Sequence, residues 1–166
     1  MSVCLYNLEE NLDEGAERAM VIGSTKVSRT NIYKNELTEQ DLSALEFYAE
    51  ELQKEDWHIN DSLYKLAEIL QDAKTNNFDV IVIDNFQLLT DGKGADQREK
   101  LANLSQILMR ARNAGLRIFL LSQGNTNGKS FGSSQVEKDA NLCILIEERY
   151  QKEEKKKIAV PGIRVL

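Results

Sequence analysis

The chain has 166 residues, of which 42% are hydrophobic and 29% charged, and it carries a formal net charge of −6. This composition is typical of a globular protein and excludes disordered, collagen-like and disulfide-rich chains, because there are nine glycines, one proline and two cysteines. No apolar stretch approaches the ~20 residues of a membrane span, and the first residues lack a basic signal-peptide region. We therefore expect a soluble cytoplasmic protein.

The charge is unevenly distributed along the chain. Residues 1–77 carry 16 acidic and 7 basic side chains, whereas residues 78–166 carry 11 acidic and 14 basic ones. The strongly basic composition of many nucleic-acid-binding domains is absent, so a basic patch for nucleic acid is expected only in the second half. Solvated helix faces are the simpler explanation of the asymmetry.

Strand and helix patterns alternate in the first part of the chain. A short apolar run at residues 2–7 predicts a buried strand, and apolar side chains at helical spacing predict a helix within residues 10–22. Residues 24–35 show little pattern. Thr38 and Asp41 then resemble a capping box, with aspartate in place of glutamate or glutamine, and predict the start of a second helix.

The middle of the chain contains the strongest strand pattern. Residues 57–59 predict a short strand, and Asp61 or Ser62 is expected to cap the helix that follows. Residues 78–83 (FDVIVI) end in an unbroken β-branched run, which is expected of a strand buried on both faces of a parallel sheet. Asp96 is expected to cap a long helix with a leucine-rich stripe.

A further apolar run at residues 118–121 has the length of a strand, and residues 142–146 predict another buried strand. Segments 158–160 and 163–166 flank a Pro-Gly pair and predict a closing C-terminal hairpin. Strands that alternate with helices of this length indicate an α/β fold with a mostly parallel central sheet. Ligands of such folds bind beyond the carboxyl ends of the strands.

Three polar residues follow predicted strands and are candidates for chemistry. Glu9 can orient and deprotonate a water molecule, although an acidic residue in the first turn of a helix also favours the helix dipole, an explanation that suits Glu10 better. Asp84 ends the strongest strand, at the position that holds the metal ion in P-loop ATPases. Gln123 can sense a phosphate there, or can simply contact water as a loop residue.

The segment 124–130 (GNTNGKS) resembles a phosphate-binding loop without matching it. Such a loop has four residues between its glycines, whereas this segment has three, and Gln123 stands where the first glycine belongs. The residues after it show no amphipathic helix whose N-terminus would bind phosphates. We therefore expect no phosphate-binding loop at this position.

Basic residues near the two loops after strands are candidates for contact with a nucleic-acid backbone. The alternative is that they are ordinary solvated side chains. Cys4 and Cys143, each in an apolar run, are expected to be buried free thiols. His58 is the single histidine, so the chain lacks the residues for a zinc site. The basic candidates are Lys93, Arg98, Lys100 and Lys129.

Four motifs occur in a fixed order along residues 3–149. They are Asn-Leu-Glu at 7–9, Ile-Asp-Asn-Phe-Gln-Leu at 83–88, Leu-Ser-Gln at 121–123, and a Gly/Ser-rich segment ending in Asp-Ala-Asn at 132–141. Together they resemble the RecA-like motor domain of DnaB-type replicative DNA helicases of bacteria and phages. The conjunction is much more specific than any one of the motifs.

This resemblance implies a role for each candidate residue. Glu9 corresponds to the glutamate that activates water, and Asp84 to the Walker B aspartate that holds Mg²⁺ through water, with Gln87 also at the ATP site. Gln123 corresponds to the glutamine that links the phosphate state to DNA-binding loops. The resemblance assigns contact with single-stranded DNA to loops 90–98 and 124–134 and to Lys93, Arg98 and Lys129.

The resemblance also predicts what these residues lack. The family's Walker A loop precedes the strand that ends in the glutamate motif, and this sequence starts at that strand. We therefore expect residues 1–166 to form a single three-layer RecA-like domain, truncated at the N-terminus, with an exposed sheet edge where the first strand would lie. Without a phosphate-binding loop, the chain alone is expected neither to bind ATP tightly nor to hydrolyse it.

Three functions are compatible with these observations. The first is part of a replicative helicase motor that uses ATP and Mg²⁺ to move on single-stranded DNA together with other helicase subunits. The second is a non-catalytic, helicase-like protein that docks on a helicase ring as a regulator, decoy or inhibitor. The third is an unrelated α/β ligand-binding domain, which requires the four motifs to be coincidence.

Overall fold

The computed structural model describes residues 1–25, 27–123, 134–153 and 156–165. Its central sheet contains four parallel strands, in the order second, first, third and fourth across the sheet. The predicted α/β class with a mostly parallel sheet is thus confirmed. The strands are β1 (Val3–Asn7), β2 (Trp57–Asn60), β3 (Val80–Asp84) and β4 (Arg117–Leu120).

Helices connect the strands of this sheet. Among the helices of the described ranges, none combines the length and the apolar character that crossing a bilayer requires. The helices are α1 (Leu12–Ser24), α2 (Arg29–Lys34), α3 (Glu39–Gln53), α4 (Leu66–Thr75), α5 (Gln97–Asn113) and α6 (Ser134–Asp139).

Several helices begin where local side chains cap their first N–H groups. Thr38 and Asp41 form the predicted capping box at the start of α3, each side chain accepting the other residue's backbone N–H. Asp96 accepts the N–H of Glu99 at the start of α5, as predicted. The helix α2 has no counterpart in the predicted elements, because six residues are too few to show helical periodicity.

The main core lies on one face of the sheet, against α4 and α5. In the parallel register Cys4 pairs with Ile81 and Tyr6 with Ile83, which places all four side chains on the same face. Each of them is at most 1% exposed, and full burial of one large apolar side chain contributes about 1.5–3 kcal/mol. The helices add Leu66, Ile69, Ala73, Leu101, Leu104 and Leu108 to the same cluster.

A partly buried hydrogen bond links this core to α4. The hydroxyl of Tyr6 donates to Asp72 Oδ2 at 2.8 Å. Burial, together with this bond, raises the pKa of Tyr6 above its ordinary value. Burial also raises the pKa of the Cys4 thiol to about 11. The predicted free thiol in the core is therefore confirmed for Cys4, whereas Cys143 is free but only half-buried.

The start of α4 differs from the prediction. Neither Asp61 nor Ser62 caps this helix, which begins at Leu66 without a side-chain bond from its own N-cap residue. The carboxylate of Asp91 instead accepts the N–H groups of Leu66 at 2.8 Å and Ala67 at 3.0 Å. Because Asp91 lies 25 positions after Leu66, a search for local capping residues does not find it.

Replacing Asp91 by alanine is expected to lower the free energy of unfolding by about 1 kcal/mol, because two N–H groups at the helix start lose their acceptor. Asp91→Asn keeps one carbonyl oxygen and is expected to recover part of this loss. Urea denaturation of the wild type and both variants measures the differences. An alanine variant as stable as the wild type would contradict the capping role.

The C-terminal region departs from the prediction in two ways. β5 (Ile144–Glu153) and β6 (Lys156–Val165) form a separate antiparallel hairpin. The predicted turn at the Pro-Gly pair is wrong, because Pro161 lies inside β6 and pairs within the ladder. The predicted buried strand at 142–146 is also wrong, since β5 does not join the central sheet and Leu142 is 62% exposed. A ten-residue ladder satisfies more backbone groups than the short arms that were predicted.

Candidate active site at the carboxyl edge of the sheet

Three strands of the central sheet end side by side. Asn7 at the end of β1 pairs with Asp84 at the end of β3, and Ile83 pairs with Leu120 of β4. Beyond the strands, the N–H of Leu121 still donates to the backbone oxygen of Ile83 at 3.0 Å. The residues that follow the strands are therefore held close together, at the edge where α/β folds bind ligands.

A buried asparagine shapes the turn that carries Glu9. Asn7 is almost fully buried, and its Oδ1 accepts the backbone N–H of Glu10 at 3.2 Å and that of Glu9 at 3.4 Å. Gly15 of α1 permits this packing, because a Cβ at that position would lie 3.2 Å from Asn7 Nδ2. The turn is thus fixed by the last side chain of β1 itself.

The carboxylate of Glu9 receives hydrogen bonds from two side-chain amides. Gln123 Nε2 donates to Glu9 Oε1 at 3.1 Å, and Asn85 Nδ2 donates to the same oxygen. Glu9 and Gln123, each a separate candidate in the sequence, are therefore in contact although they lie 114 positions apart. Asn85 was missed, because an asparagine after a strand is ordinary turn chemistry. Its place directly after Asp84 was the available signal.

Asp84 lies half-buried at the end of β3. Burial raises the pKa of its carboxyl group, and the nearby charge of Glu9 raises it further, whereas Arg18 lowers it. Arg18 of α1 also forms an ion pair with Glu10. A cation bound beside Asp84 would favour the charged form of this carboxyl, because it would offset both the burial and the repulsion by Glu9.

The carboxylates at this edge suit an open Mg²⁺ site, which water and phosphate oxygens complete, better than a metal site made only of protein ligands. Within the described ranges, no group of three or more His, Cys, Asp or Glu residues is arranged to hold a metal ion. Mg²⁺ usually takes one or two protein carboxylates and completes its octahedron with water and phosphate oxygens. Asp84 fits such a site as a protein ligand, directly or through water. The single histidine, His58, instead pairs with Asp56 at 3.0 Å.

Gln87 lies in the 3₁₀ turn Phe86–Leu88 that follows β3. Its Nε2 donates to Ser122 Oγ at 2.7 Å and to the backbone oxygen of Gln123 at 3.2 Å. This side chain therefore ties the segment after β3 to the segment after β4. Because Gln123 in turn contacts Glu9, the ends of all three strands are joined by side-chain hydrogen bonds.

Two of the basic candidates lie on the surface after β3, Lys93 in the loop before α5 and Arg98 in the first turn of α5. The side chains of Lys93 and Arg98 are exposed, and neither forms an ion pair with another residue of the described ranges. The backbone of the loop is held in place, since the N–H of Lys93 donates to Asn103 Oδ1 at 3.2 Å. Lys129 and the segment 124–130 lie outside the described residues.

A family model described as the DnaB-like helicase C-terminal domain matches residues 1–164. No curated protein matches the sequence significantly. Among solved structures, the chain is similar to a DnaB-like replicative helicase, described with its interactions with primase, at a TM-score of 0.81 and 19% identity. The match covers 99% of this chain and 47% of the other, so this chain spans about half the length of that helicase.

Two further solved structures share the architecture. One is an ATPase domain with a TM-score of 0.79 and 19% identity, the match covering 99% of this chain and 70% of the other. The second is a KaiC-like protein from the archaeon Pyrococcus horikoshii, with a TM-score of 0.56 and 18% identity over 98% of this chain and 66% of the other. At such identities the likeness shows the fold, and it confirms the predicted RecA-like architecture.

Proposed function

Because the chain belongs to the DnaB-like helicase C-terminal domain family, we propose that it serves a replicative helicase motor that couples ATP hydrolysis to movement on single-stranded DNA. The observation that carries this proposal is the contact between Glu9 and Gln123 beside Asp84. Transfer of a phosphoryl group to water requires a base, a carboxylate that holds the metal ion and a group that senses the phosphate. Neighbouring strand ends supply all three in this proposal.

In this proposal the ends of three strands supply the groups of the nucleotide site. Glu9 orients and deprotonates the attacking water, and Asp84 holds Mg²⁺ through water. Gln123 exchanges its bond to Glu9 for one to the terminal phosphate and thereby links the nucleotide state to the loop after β4. Gln87 lies at the same nucleotide site and holds the strand ends together. Mg²⁺, when bound with ATP, supplies the neutralisation of charge on the transferred phosphoryl group.

The nucleic acid along which the proposed motor moves is single-stranded DNA. The exposed side chains of Lys93 and Arg98, together with Lys129 in the segment 124–130, supply positive charge for its phosphates. Contacts of this kind bind the backbone whatever the base sequence, which suits a protein that moves along a strand. The proposed partners are other helicase subunits, and the proposed location is the cytoplasm.

ATP binding needs a group that these residues do not contain. The 166 residues include no G-x-x-x-x-G-K-[S/T] sequence, the loop whose backbone N–H groups and lysine cradle the phosphates. We propose that a phosphate-binding loop from another segment or subunit completes the site, and that the 166 residues alone do not hydrolyse ATP.

The chain is expected to show no saturable binding of a fluorescent ATP analogue with Mg²⁺ at micromolar concentrations, because a phosphate-binding loop provides much of the affinity. A fluorescence-anisotropy titration of the purified chain measures this. Micromolar binding that disappears in Lys129→Ala but persists in the surface control Lys34→Ala would instead identify the segment 124–130 as the phosphate site.

The exposed edge of the central sheet favours a second candidate function, that of a non-catalytic protein docking on a helicase ring. Within the described ranges β4 is an edge strand, and its Phe119 is 61% exposed. An apolar strand edge is a template for pairing with another chain. The bases upstream of the reading frame distinguish the candidates. An in-frame phosphate-binding loop supports the motor and contradicts the docking protein.

A further inference from the structure

Asn85 uses both ends of its side-chain amide at the proposed active site. The side chain is 4% exposed. Its Oδ1 accepts the backbone N–H of Gln87 at 2.9 Å, and its Nδ2 donates to Glu9 Oε1. A backbone N–H can only donate, so the bond to Gln87 fixes which end of the amide is the oxygen. The nitrogen is therefore directed to Glu9 by the backbone of the turn.

The two amides that bind Glu9 differ in how firmly they are held. Gln123 is exposed and donates to Glu9 Oε1 at 3.1 Å, so it can leave this oxygen and find water or a phosphate as a new partner. Asn85 is buried, and a buried amide that leaves its partner is left without a hydrogen bond. A hydrogen bond to a charged carboxylate is also stronger than one between neutral groups.

We propose that Asn85 is a positioning residue for Glu9. This inference rests on the proposed role of Glu9 as the base. Asn85 keeps the carboxylate at the end of β3, next to Asp84, when Gln123 exchanges Glu9 for a phosphate. The lone pair that Gln123 releases on Oε1 then becomes available to the attacking water, while the direction of the carboxylate is unchanged.

Side-chain amide NMR of the full chain tests this contact without nucleotide. Solvent exchange of the Asn85 NH₂ group is expected to become about tenfold faster or more in Glu9→Ala, because a hydrogen bond to a charged group is lost. Glu9 is exposed, so this substitution leaves the core intact. Gln123→Ala and the surface control Glu14→Ala are expected to leave the exchange unchanged. Equal exchange in the wild type and Glu9→Ala would overturn the inference.

A second measurement separates positioning from general stability. In a form of the protein that hydrolyses ATP, Asn85→Asp is expected to lower kcat with little change in KM. The aspartate keeps an oxygen for the N–H of Gln87 but replaces the donor to Glu9 by a repelling carboxylate. An unchanged kcat would overturn the inference even where Glu9→Gln abolishes hydrolysis. Hydrolysis that survives Glu9→Gln would instead overturn the proposed function, whatever the NMR result.

Discussion

ATP hydrolysis is expected to fall about 10²–10⁴-fold when Glu9 is replaced by glutamine, in a form of this protein that carries a phosphate-binding loop. Glutamine keeps the length of the side chain and an oxygen that can accept from Asn85 and Gln123. It cannot take a proton from water at neutral pH, because a carboxamide is a much weaker base than a carboxylate. The chemical step should therefore slow while nucleotide binding, which other groups provide, stays unchanged.

Single-turnover hydrolysis, together with a titration of an ATP analogue, separates the two effects. The matched control is Glu14→Gln, which changes the same residue type in the first turn of α1. We expect this control to hydrolyse ATP like the wild type. Hydrolysis at the wild-type rate in Glu9→Gln would remove Glu9 as the base and, with it, the motor function proposed for this site.

Phe86→Ala is expected to lower the free energy of unfolding by about 3–5 kcal/mol, the usual range for a buried phenylalanine. Phe86 is 1% exposed and belongs to the main core cluster. It also lies between Asn85 and Gln87, and its N–H donates to the backbone oxygen of Leu121 at 3.0 Å. Its buried ring therefore anchors the turn that carries Asn85 and Gln87.

Urea denaturation of the wild type and the variant, analysed with one common m-value, measures this loss in the free energy of unfolding. The matched control is Leu88→Ala, two residues later in the same 3₁₀ turn but 40% exposed. An exposed position of this kind is expected to change stability by about 0.5 kcal/mol or less. Equal losses in the two variants would mean that the turn is not anchored through the core.

The central sheet was largely predictable because its signals are local. Two apolar runs were recognisable as strands, residues 2–7 for β1 and residues 78–83 for β3. A strand buried on both faces appears in the sequence as a continuous apolar run, without alternating polar residues. The C-terminal hairpin was predicted with the wrong turn. An apolar run indicates a strand, but it does not say which segment the strand will pair with.

The candidate site was predictable in its position but not in its contacts. Glu9, Asp84 and Gln123 stand directly after strands, and the carboxyl ends of parallel strands meet at one edge. The contact of Glu9 with Asn85 joins residues 76 positions apart. Its existence depends on the register of β1 against β3, which no spacing in the sequence encodes.

The sequence by itself determined the fold class, the family and the strand ends at which polar residues gather, because these follow from local hydrophobic pattern and motif order. The tertiary structure alone decided that Asp91 caps α4, that Asn85 and Gln123 share one oxygen of Glu9, and that β5 pairs with β6 outside the central sheet. The contacts of Asp91, Asn85 and Gln123 join segments that are distant in the chain. A hydrogen bond forms only between groups that the packed backbone brings within about 3 Å of each other. That proximity exists only after folding.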